Sequence, residues 1–531
     1  MEALPAPSAS PGVGRSLLVA AGIVAFGFIG SRLLGVLRTA VIANEFGTGD
    51  EVGAYFVAFR VPDLIFQVLA GAAIGSAFIP TFARYLSQKG EAEAWQMASR
   101  VLNLIAVLTA ILGIVAFITA PWLVPILAPG LGDNPQETRE LEELAVELTR
   151  IMCLSPILFS ISGLFMGMLN ARHSFFLPAL APMLYNLAII FGAVVLAGPF
   201  GIHGLAIGVV AGAALHLLIQ VPGLIRERMR WVPSLRWRDE GVWEVGRLMG
   251  PRVIGLAAGQ ANFFITTFFA SYISTGSISA LNYAWLLMML PLGIFGMAIS
   301  TAVFPRLAEQ VAEGRPEAMR DTLGRILRMI LFLTIPSTIG LLILREPIVA
   351  VLLERGEFNE ASTEATANAL FFFSVGLIAH ASIEILARGL YALGDTRSPA
   401  IAAVAALVLN LVLSAVLFGP FDESGLALAV STAAVLNAVM HYVTLRRRLG
   451  ALGEVSALSS LGKMALAAGA LAAVVLGLWL ALEPLRDAES SLEATGLLVG
   501  TIVAGAAAYF GVSFLLRDEE LHSLLRQVRR R

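Results

Sequence analysis

The sequence predicts an all-α polytopic membrane protein with fourteen transmembrane helices. They form two six-helix lobes, a parallel pseudo-two-fold repeat, with two extra helices at the C-terminus. Three observations predict it. Of 531 residues, 57% are hydrophobic and 14% charged, with a mean hydropathy of +0.81. A soluble chain carries about 25% charged residues and at this length would cover roughly two to four domains with them. Lys and Arg gather on alternate loops, and the chain resembles itself at a fixed spacing. The net charge of −2 implies no nucleic-acid partner, and a lone cysteine, Cys153, excludes disulfide frameworks and cysteine-rich metal sites.

A bilayer helix needs about 20 mostly apolar residues. The first span reads over 17–43; it lacks a small-residue cleavage site before the next polar turn, so it is expected to be retained rather than removed as a signal peptide. Spans 2 to 4 follow at 54–82, 101–121 and 146–169. The 53 charge-free residues between Arg172 and Arg226 hold spans 5 and 6, and another 53 between Arg252 and Arg306 hold spans 7 and 8. Spans 9 to 14 read near 326–344, 366–390, 399–419, 425–445, 464–482 and 494–516. With the N-terminus in the cytoplasm, 28 of the 36 Lys and Arg fall on the cytoplasmic side. Five (Arg139, Arg150, Arg345, Arg355 and Arg486) fall outside, and three lie within helices. A miscounted helix would reverse this bias downstream, and it never reverses. Both termini are therefore expected inside, in the cytoplasmic membrane. The expected organisation is a tail (1–15), an N-lobe (16–225), a basic cytoplasmic linker (226–247), a C-lobe (248–448), spans 13 and 14 (449–516) and a basic tail (517–531).

The self-resemblance has an offset of 221–226 residues. Ala77-Phe78-Ile79-Pro80 recurs as Ala302-Val303-Phe304-Pro305, Pro121 as Pro347, Pro178 as Pro399, and Gly204-Leu205-Ala206 as Gly425-Leu426-Ala427. Six spans separate the copies, so both have the same orientation. That predicts lobes related by an axis along the membrane normal with a site between them near mid-membrane, an architecture of alternating-access transporters.

No catalytic constellation accompanies these spans. The six histidines are scattered, the acidic run Glu140, Glu142 and Glu143 reads as a solvated helix face, and no phosphate-binding Gly-rich loop occurs. Neither catalytic residues, a metal nor a cofactor is expected. The residues to explain are Arg32 and Arg38 on span 1, and Arg60 and Asp63 on span 2, because a charge at the centre of a membrane helix costs at least ~2.5–3.5 kcal/mol. One reading is a cationic lumen for an anion such as a phosphate, which arginine binds bidentately. The other pairs Arg60 with Asp63 and lets Arg38 snorkel to the outer interface. His380, Glu384 and Arg388 follow at four-residue steps and read as a self-neutralising ladder. Gln260 and Asn262 on span 7 either line the lumen or bond across helices. Prolines 156, 182, 291 and 336 sit within spans, where broken helices act as hinges.

These residues lie in stretches that resemble the MurJ/MviN family of lipid II flippases, within the multidrug/oligosaccharidyl-lipid/polysaccharide exporter superfamily. The resemblance is carried by Ser31-Arg32-Leu33-Leu34-Gly35 with Arg38, by Phe56-Val57-Ala58-Phe59-Arg60-Val61-Pro62 and Ala77-Phe78-Ile79-Pro80, and by Gly276–Ala284 and Pro291–Gly296. Arg355-Gly356-Glu357-Phe358 and Tyr391–Pro399 carry it in the second lobe. It implies a substrate, undecaprenyl-pyrophosphate bearing the peptidoglycan disaccharide-peptide, moved from the inner to the outer leaflet of the bacterial inner membrane. It also implies a groove for the lipid tail at spans 13 and 14. The expected cavity residues are Arg32, Arg38, Arg60, Asp63, Gln260 and Asn262. The family's basic positions shortly after the span-2 proline and on span 8 are Phe66 or Gln67 and Leu286 here, and Arg252 is a substitute cation. The family's acid before Phe56 is Gly53. Cell-wall synthesis proteins are candidate partners, and a monomer is expected. The alternatives are a flippase for another polyprenyl-linked glycan, a drug exporter of the superfamily, and a non-transporting envelope-synthesis scaffold.

Overall fold

A computed structural model describes residues 11–71, 77–481 and 491–529. Among them there is no strand. The helices are α1 (Pro11–Phe46), α2 (Asp50–Phe66), α3 (Ile79–Gln88), α4 (Glu91–Leu127), α5 (Pro135–Met152), α6 (Ser155–Ala171), α7 (Phe176–Phe191), α8 (Ala197–Phe200), α9 (Ile202–Leu218) and α10 (Val221–Arg226). They continue with α11 (Glu240–Ser271), α12 (Thr275–Pro291), α13 (Ala298–Ala312), α14 (Pro316–Ile343), α15 (Arg345–Leu353), α16 (Glu360–Ala392), α17 (Arg397–Leu449), α18 (Glu454–Ala481), α19 (Ser491–Leu515) and α20 (Glu519–Arg529).

Among the described residues, twelve helical segments are long and apolar enough to cross a membrane. Two places separate this from the expected fourteen. The run α17 is two helices meeting at Asp422 (φ 47°, ψ −138°), each matching one expected span. Helix α11 carries no charge from Val253 to Ser271, over the expected seventh span, but several of its side chains lie outside the described residues and it is not among the twelve.

Several expected spans are broken where the backbone runs short of donors or space. Pro156 sits in the first turn of α6, and the chain steps at Cys153–Leu154 between α5 and α6, so the fourth span is two helices. The second span likewise ends its α-helix at Phe66 and continues as a π-helical turn, Gln67–Gly71. A second π turn, Leu292–Met297, directly follows Pro291 at the end of α12. Proline removes an i→i−4 hydrogen bond, and a wider turn is one way the helix accommodates the loss. These two π turns start 225 residues apart, in register with the sequence repeat, whereas a third among the described residues, Gly192–Leu196, has no such counterpart.

The repeat is also written in the backbone. Gly201 (φ 55°, ψ −141°) and Asp422 adopt the same left-handed turn 221 residues apart. Three residues later in each copy a glycine meets the preceding helix. A Cβ on Gly204 would lie 2.5 Å from the carbonyl carbon of Leu196, and one on Gly425 would lie 2.8 Å from that of Leu417. Leu196 and Leu417 are again 221 apart. Only a residue without Cβ tolerates such an approach.

The chain divides into two compact units. Unit 1 comprises Met1–Phe46, Ala54–Leu127 and Asn134–Gln260; unit 2 comprises Gly47–Gly53, Ala128–Asp133 and Ala261–Arg531. In unit 1, α1 packs on α7, α7 on α9, and α6 on α4 and α9. An aromatic core built from Phe78, Phe82, Tyr85 and Trp95 joins α3 to α4 at their charged ends. In unit 2, α16 packs on α12, α14 and α17, while α18 and α19 pair and cover α14. The Tyr509 hydroxyl of α19 donates to the Phe332 carbonyl of α14 at 2.8 Å.

Candidate functional site

Small residues bring α1 against α7. A Cβ on Gly27 would sit 2.5 Å from that of Ala179, and one on Gly30 would sit 2.9 Å from the Met183 methyl. Asn186 of α7 donates to the Ser31 carbonyl at 3.3 Å, fixing the register of the two helices. Helix α2 buries Tyr55, Val57, Ala58 and Val61, and Thr149 of α5 reaches its Ala58 carbonyl at 3.4 Å. These contacts hold the charged positions of α1 and α2 in one unit.

Within unit 1 the structure gathers Arg38, Tyr55, Asp63 and Tyr185. Arg38 lies within electrostatic reach of both tyrosines, and Tyr185 in turn of Asp63. Arg60 sits within reach of Asp63, one helical turn away on α2. The expected Arg60–Asp63 association is therefore present, but the carboxylate has further partners. Gln260 of α11 donates to Asp63 Oδ2 at 2.9 Å, and the Gln67 amide also hydrogen-bonds it. A half-buried carboxylate held by two neutral amides stays anchored while Arg60 stays close. Arg38 differs: its Nε is buried and has no hydrogen-bond partner among the described residues. A buried guanidinium N–H left without an acceptor costs about 1–3 kcal/mol, and an anion between the helices would relieve it.

The remaining expected residues separate. Arg32 is exposed and lies over the Phe28 ring at 5.3 Å, on a face of α1 shared with exposed Ile29 and Leu33. The side chain of Arg252 lies outside the described residues. Gln260 and Asn262, two residues apart on span 7, fall in different units: Asn262 accepts from Asn410 Nδ2 at 3.1 Å in unit 2, and Ser414 donates to Asn410 at 3.3 Å. Of the expected ladder, only Glu384 and Arg388 pair, at 2.5 Å. Arg388 also reaches Thr301 at 3.0 Å, while the His380 ring stands edge-on to Trp285 at 5.4 Å.

Sequence reasoning missed Tyr55 and Tyr185. Their signal was weak, a single hydroxyl in an otherwise apolar stretch, and membrane tyrosines read first as interfacial anchors. The departures from the family pattern have local explanations. Of the two candidate positions after the span-2 proline, Phe66 packs on Phe159 (5.1 Å), which stands edge-on to Tyr185 (4.9 Å), and Gln67 hydrogen-bonds Asp63, so neither supplies a cation. Gly53 faces Thr275, whose carbonyl oxygen would be 2.7 Å from an added Cβ, leaving no room for an acidic side chain. Trp285, beside Leu286, is wedged among Phe263, Phe373 and His380.

A bundle of membrane-length helices built on a duplicated half, with an unsatisfied arginine beside a tethered carboxylate, defines a polytopic transporter of solutes or lipids. The comparisons with known proteins narrow this. The family model described as Lipid II flippase MurJ matches residues 42–485. A "Probable lipid II flippase MurJ" of Vibrio cholerae is 31% identical over 438 residues, 81% of this chain and 83% of the relative. The "Lipid II flippase MurJ" of Burkholderia cenocepacia is 31% identical over 442 residues, 82% and 84%. A Rhizobium tropici relative with the "probable" name is 31% identical over 95% of both chains. Among solved structures, a lipid II flippase MurJ in an inward closed conformation matches with a TM-score of 0.76 at 23% identity, over 93% of this chain and 99% of that one. An inward-facing multidrug resistance MATE family transporter of the MOP superfamily matches at 0.65 and 18% identity, over 80% and 96%. The chain belongs to the lipid II flippase MurJ family.

Proposed function

We propose that this protein is a lipid II flippase, moving undecaprenyl-pyrophosphate-linked disaccharide-peptide from the inner to the outer leaflet by alternating access. The observation that carries this reading beyond family membership is the buried, unsatisfied Nε of Arg38 beside Tyr55, Tyr185 and Asp63. A pyrophosphate offers the acceptors that guanidinium lacks there, and bidentate pairing gives both strength and orientation. Asp63, held by Gln260 and Gln67, keeps Arg60 from collapsing onto the substrate position and limits the net positive charge when the site is empty. Arg32 and Arg252 are further cations that the headgroup meets along its path; Asn262 supplies a neutral polar contact for the glycan. The sugar-pyrophosphate headgroup cannot cross hydrocarbon unaided, whereas its lipid tail can remain in the bilayer. Spans 13 and 14, residues 449–516, are the surface we assign to that tail.

The same reading puts the 226–247 linker and both termini on the cytoplasmic face of the bacterial inner membrane, with fourteen spans, and makes the chain a transporter rather than an enzyme. It functions as a monomer and meets cell-wall synthesis proteins through its outer or inner loops. The test is complementation of a bacterium depleted of its own lipid II flippase, following outer-leaflet lipid II as well as growth. Rescue that is abolished by Arg38→Ala at unchanged protein level supports the assignment. A well-inserted protein that never rescues favours transport of another polyprenyl-linked glycan, the reading to which Phe66 and Gln67 point, because neither supplies the cation of the family pattern there.

A further inference from the structure

The chain between α10 and α11 is a strap with two unlike faces. Residues 229–236 carry no helix, and the Ser234 amide donates back to the Val232 carbonyl at 2.9 Å, a tight turn that leaves Trp231 and Leu235 exposed on either side of half-buried Val232 and Ser234. The inward side is tied to α4: Ser99 Oγ donates to the Arg230 carbonyl at 3.3 Å and accepts from the Val232 amide at 3.2 Å. Asn103 donates to the carbonyls of Val232 (2.8 Å) and Ser234 (3.1 Å). Where the strap turns into α11, Val245 is buried in the aromatic core of unit 1.

Charge is sorted as strictly as the backbone. All four acids of the segment are spent in ion pairs: Glu227 with Arg172 (2.9 Å), Asp239 with Arg100, Glu244 with Arg84 and, on the exposed side, Glu240 with Lys89 (3.1 Å). Arg228, Arg230, Arg236 and Arg238 are exposed and form no ion pair among the described residues. Interleaved with them, Trp231, Leu235, Trp237 and Trp243 are 59%, 54%, 56% and 64% exposed. The Arg238 guanidinium lies over the Trp237 ring at 4.7 Å, pre-arranged rather than loose. A surface with one exposed acid, Glu240, already paired to Lys89, and with Trp alternating with unpaired Arg is mismatched to water, and it continues directly from the charged ends of membrane-length helices.

We propose that residues 228–243 lie on the inner-leaflet interface and bind anionic phospholipid. The arginines take the headgroup phosphates, and Trp231, Leu235, Trp237 and Trp243 sit at the headgroup–acyl boundary, where amphipathic rings are most stable. Because every acid of the segment is paired and four of its arginines form no ion pair among the described residues, the outward field is net cationic, so the strap discriminates anionic from zwitterionic lipid. This goes beyond lipid II transport and rests on the cytoplasmic placement of the 226–247 linker proposed above.

The test uses the full-length protein labelled with bimane at Trp237→Cys; Cys153 is buried, so the new thiol is the one that reacts. The protein is reconstituted into phosphatidylcholine vesicles containing either phosphatidylglycerol or phosphatidylcholine brominated near the headgroup. Brominated phosphatidylglycerol is expected to quench at about tenfold lower mole fraction than brominated phosphatidylcholine, the preference that several arginines at an anionic surface confer. The triple variant R230Q/R236Q/R238Q erases that preference while yield and melting temperature hold. Equal quenching by both lipids overturns the proposal, since the strap then inserts without reading the headgroup. Quenching by aqueous iodide and by neither lipid overturns it as well. A Leu235→Cys label repeats every arm, so a local effect of losing Trp237 does not decide the outcome.

Discussion

Arg38→Met separates a binding residue from a structural one. The wild-type guanidinium keeps a buried Nε without an acceptor, a cost of about 1–3 kcal/mol to the empty protein. Methionine keeps most of the stem's packing and removes that donor along with the charge. The empty protein should therefore be as stable as wild type or more so by about 1 kcal/mol. For a domain of this size the gain amounts to a rise of about 2–4 °C in apparent melting temperature. Substrate binding moves the other way. Each charge-assisted hydrogen bond to a phosphate oxygen is worth about 1.5–3 kcal/mol, and each 1.4 kcal/mol is tenfold in affinity, so losing one or two weakens binding at least about tenfold. Arg38→Lys should fall between, because the ammonium restores charge without the planar fork. The assay pairs thermal melting of purified protein with outer-leaflet lipid II in a depleted host. The combination expected is lost transport with undiminished stability. If Arg38→Met melts several degrees lower and transport falls only with the amount of folded protein, Arg38 is a structural residue and the binding argument is wrong.

Four further outcomes follow from the structure. Asp395, outside the spans, caps the start of α17 by accepting from the amides of Arg397 (3.0 Å) and Ser398 (2.9 Å) and from the Ser398 hydroxyl (2.6 Å), with Arg448 at 2.6 Å. Burial pushes its pKa up, but these partners outweigh it and hold the carboxyl below the usual range. Its contribution to stability is therefore full above the ordinary carboxylate pKa and fades as pH falls through the lowered one. Asp395→Ala should cost about 0.5–2 kcal/mol at neutral pH and flatten the acid limb of a melting-temperature profile. Gly204→Ala and Gly425→Ala should each destabilise by about 1–3 kcal/mol, whereas Gly198→Ala and Gly419→Ala, at the matching open positions of the two copies, should not; thermal melts compare all four. Gly53→Asp should lower the yield of folded protein rather than strengthen transport, because Thr275 already occupies the space; yield and transport are read side by side. Gln260→Leu should impair transport more than stability because Asp63 loses the amide that anchors it beside Arg60, and adding Asp63→Asn, which impairs transport by itself, should cost little more, a coupling measured by a double-mutant cycle.

Composition and hydropathy sufficed for the class and for most of the spans because a bilayer imposes one-dimensional rules. Each segment must hide its own backbone, so apolar length alone marks a span. The repeat was legible for a related reason: Gly204 and Gly425, and the prolines, sit where backbone geometry permits few substitutes. Family membership was carried by the same segments, notably Phe56–Pro62 and Pro291–Gly296. What tertiary structure alone decided was which polar groups meet. Periodicity put Arg60 near Asp63 but could not show that Gln260, about 200 residues away, ties that carboxylate, or that Asn262, two residues on, turns to Asn410 instead. Nor could it foresee that Arg38 keeps an unmet donor while Arg32, on the same helix, lies on Phe28. The physical reason is that a hydrogen bond depends on a few ångströms between helices remote in sequence, whereas insertion into a membrane depends only on the helix itself.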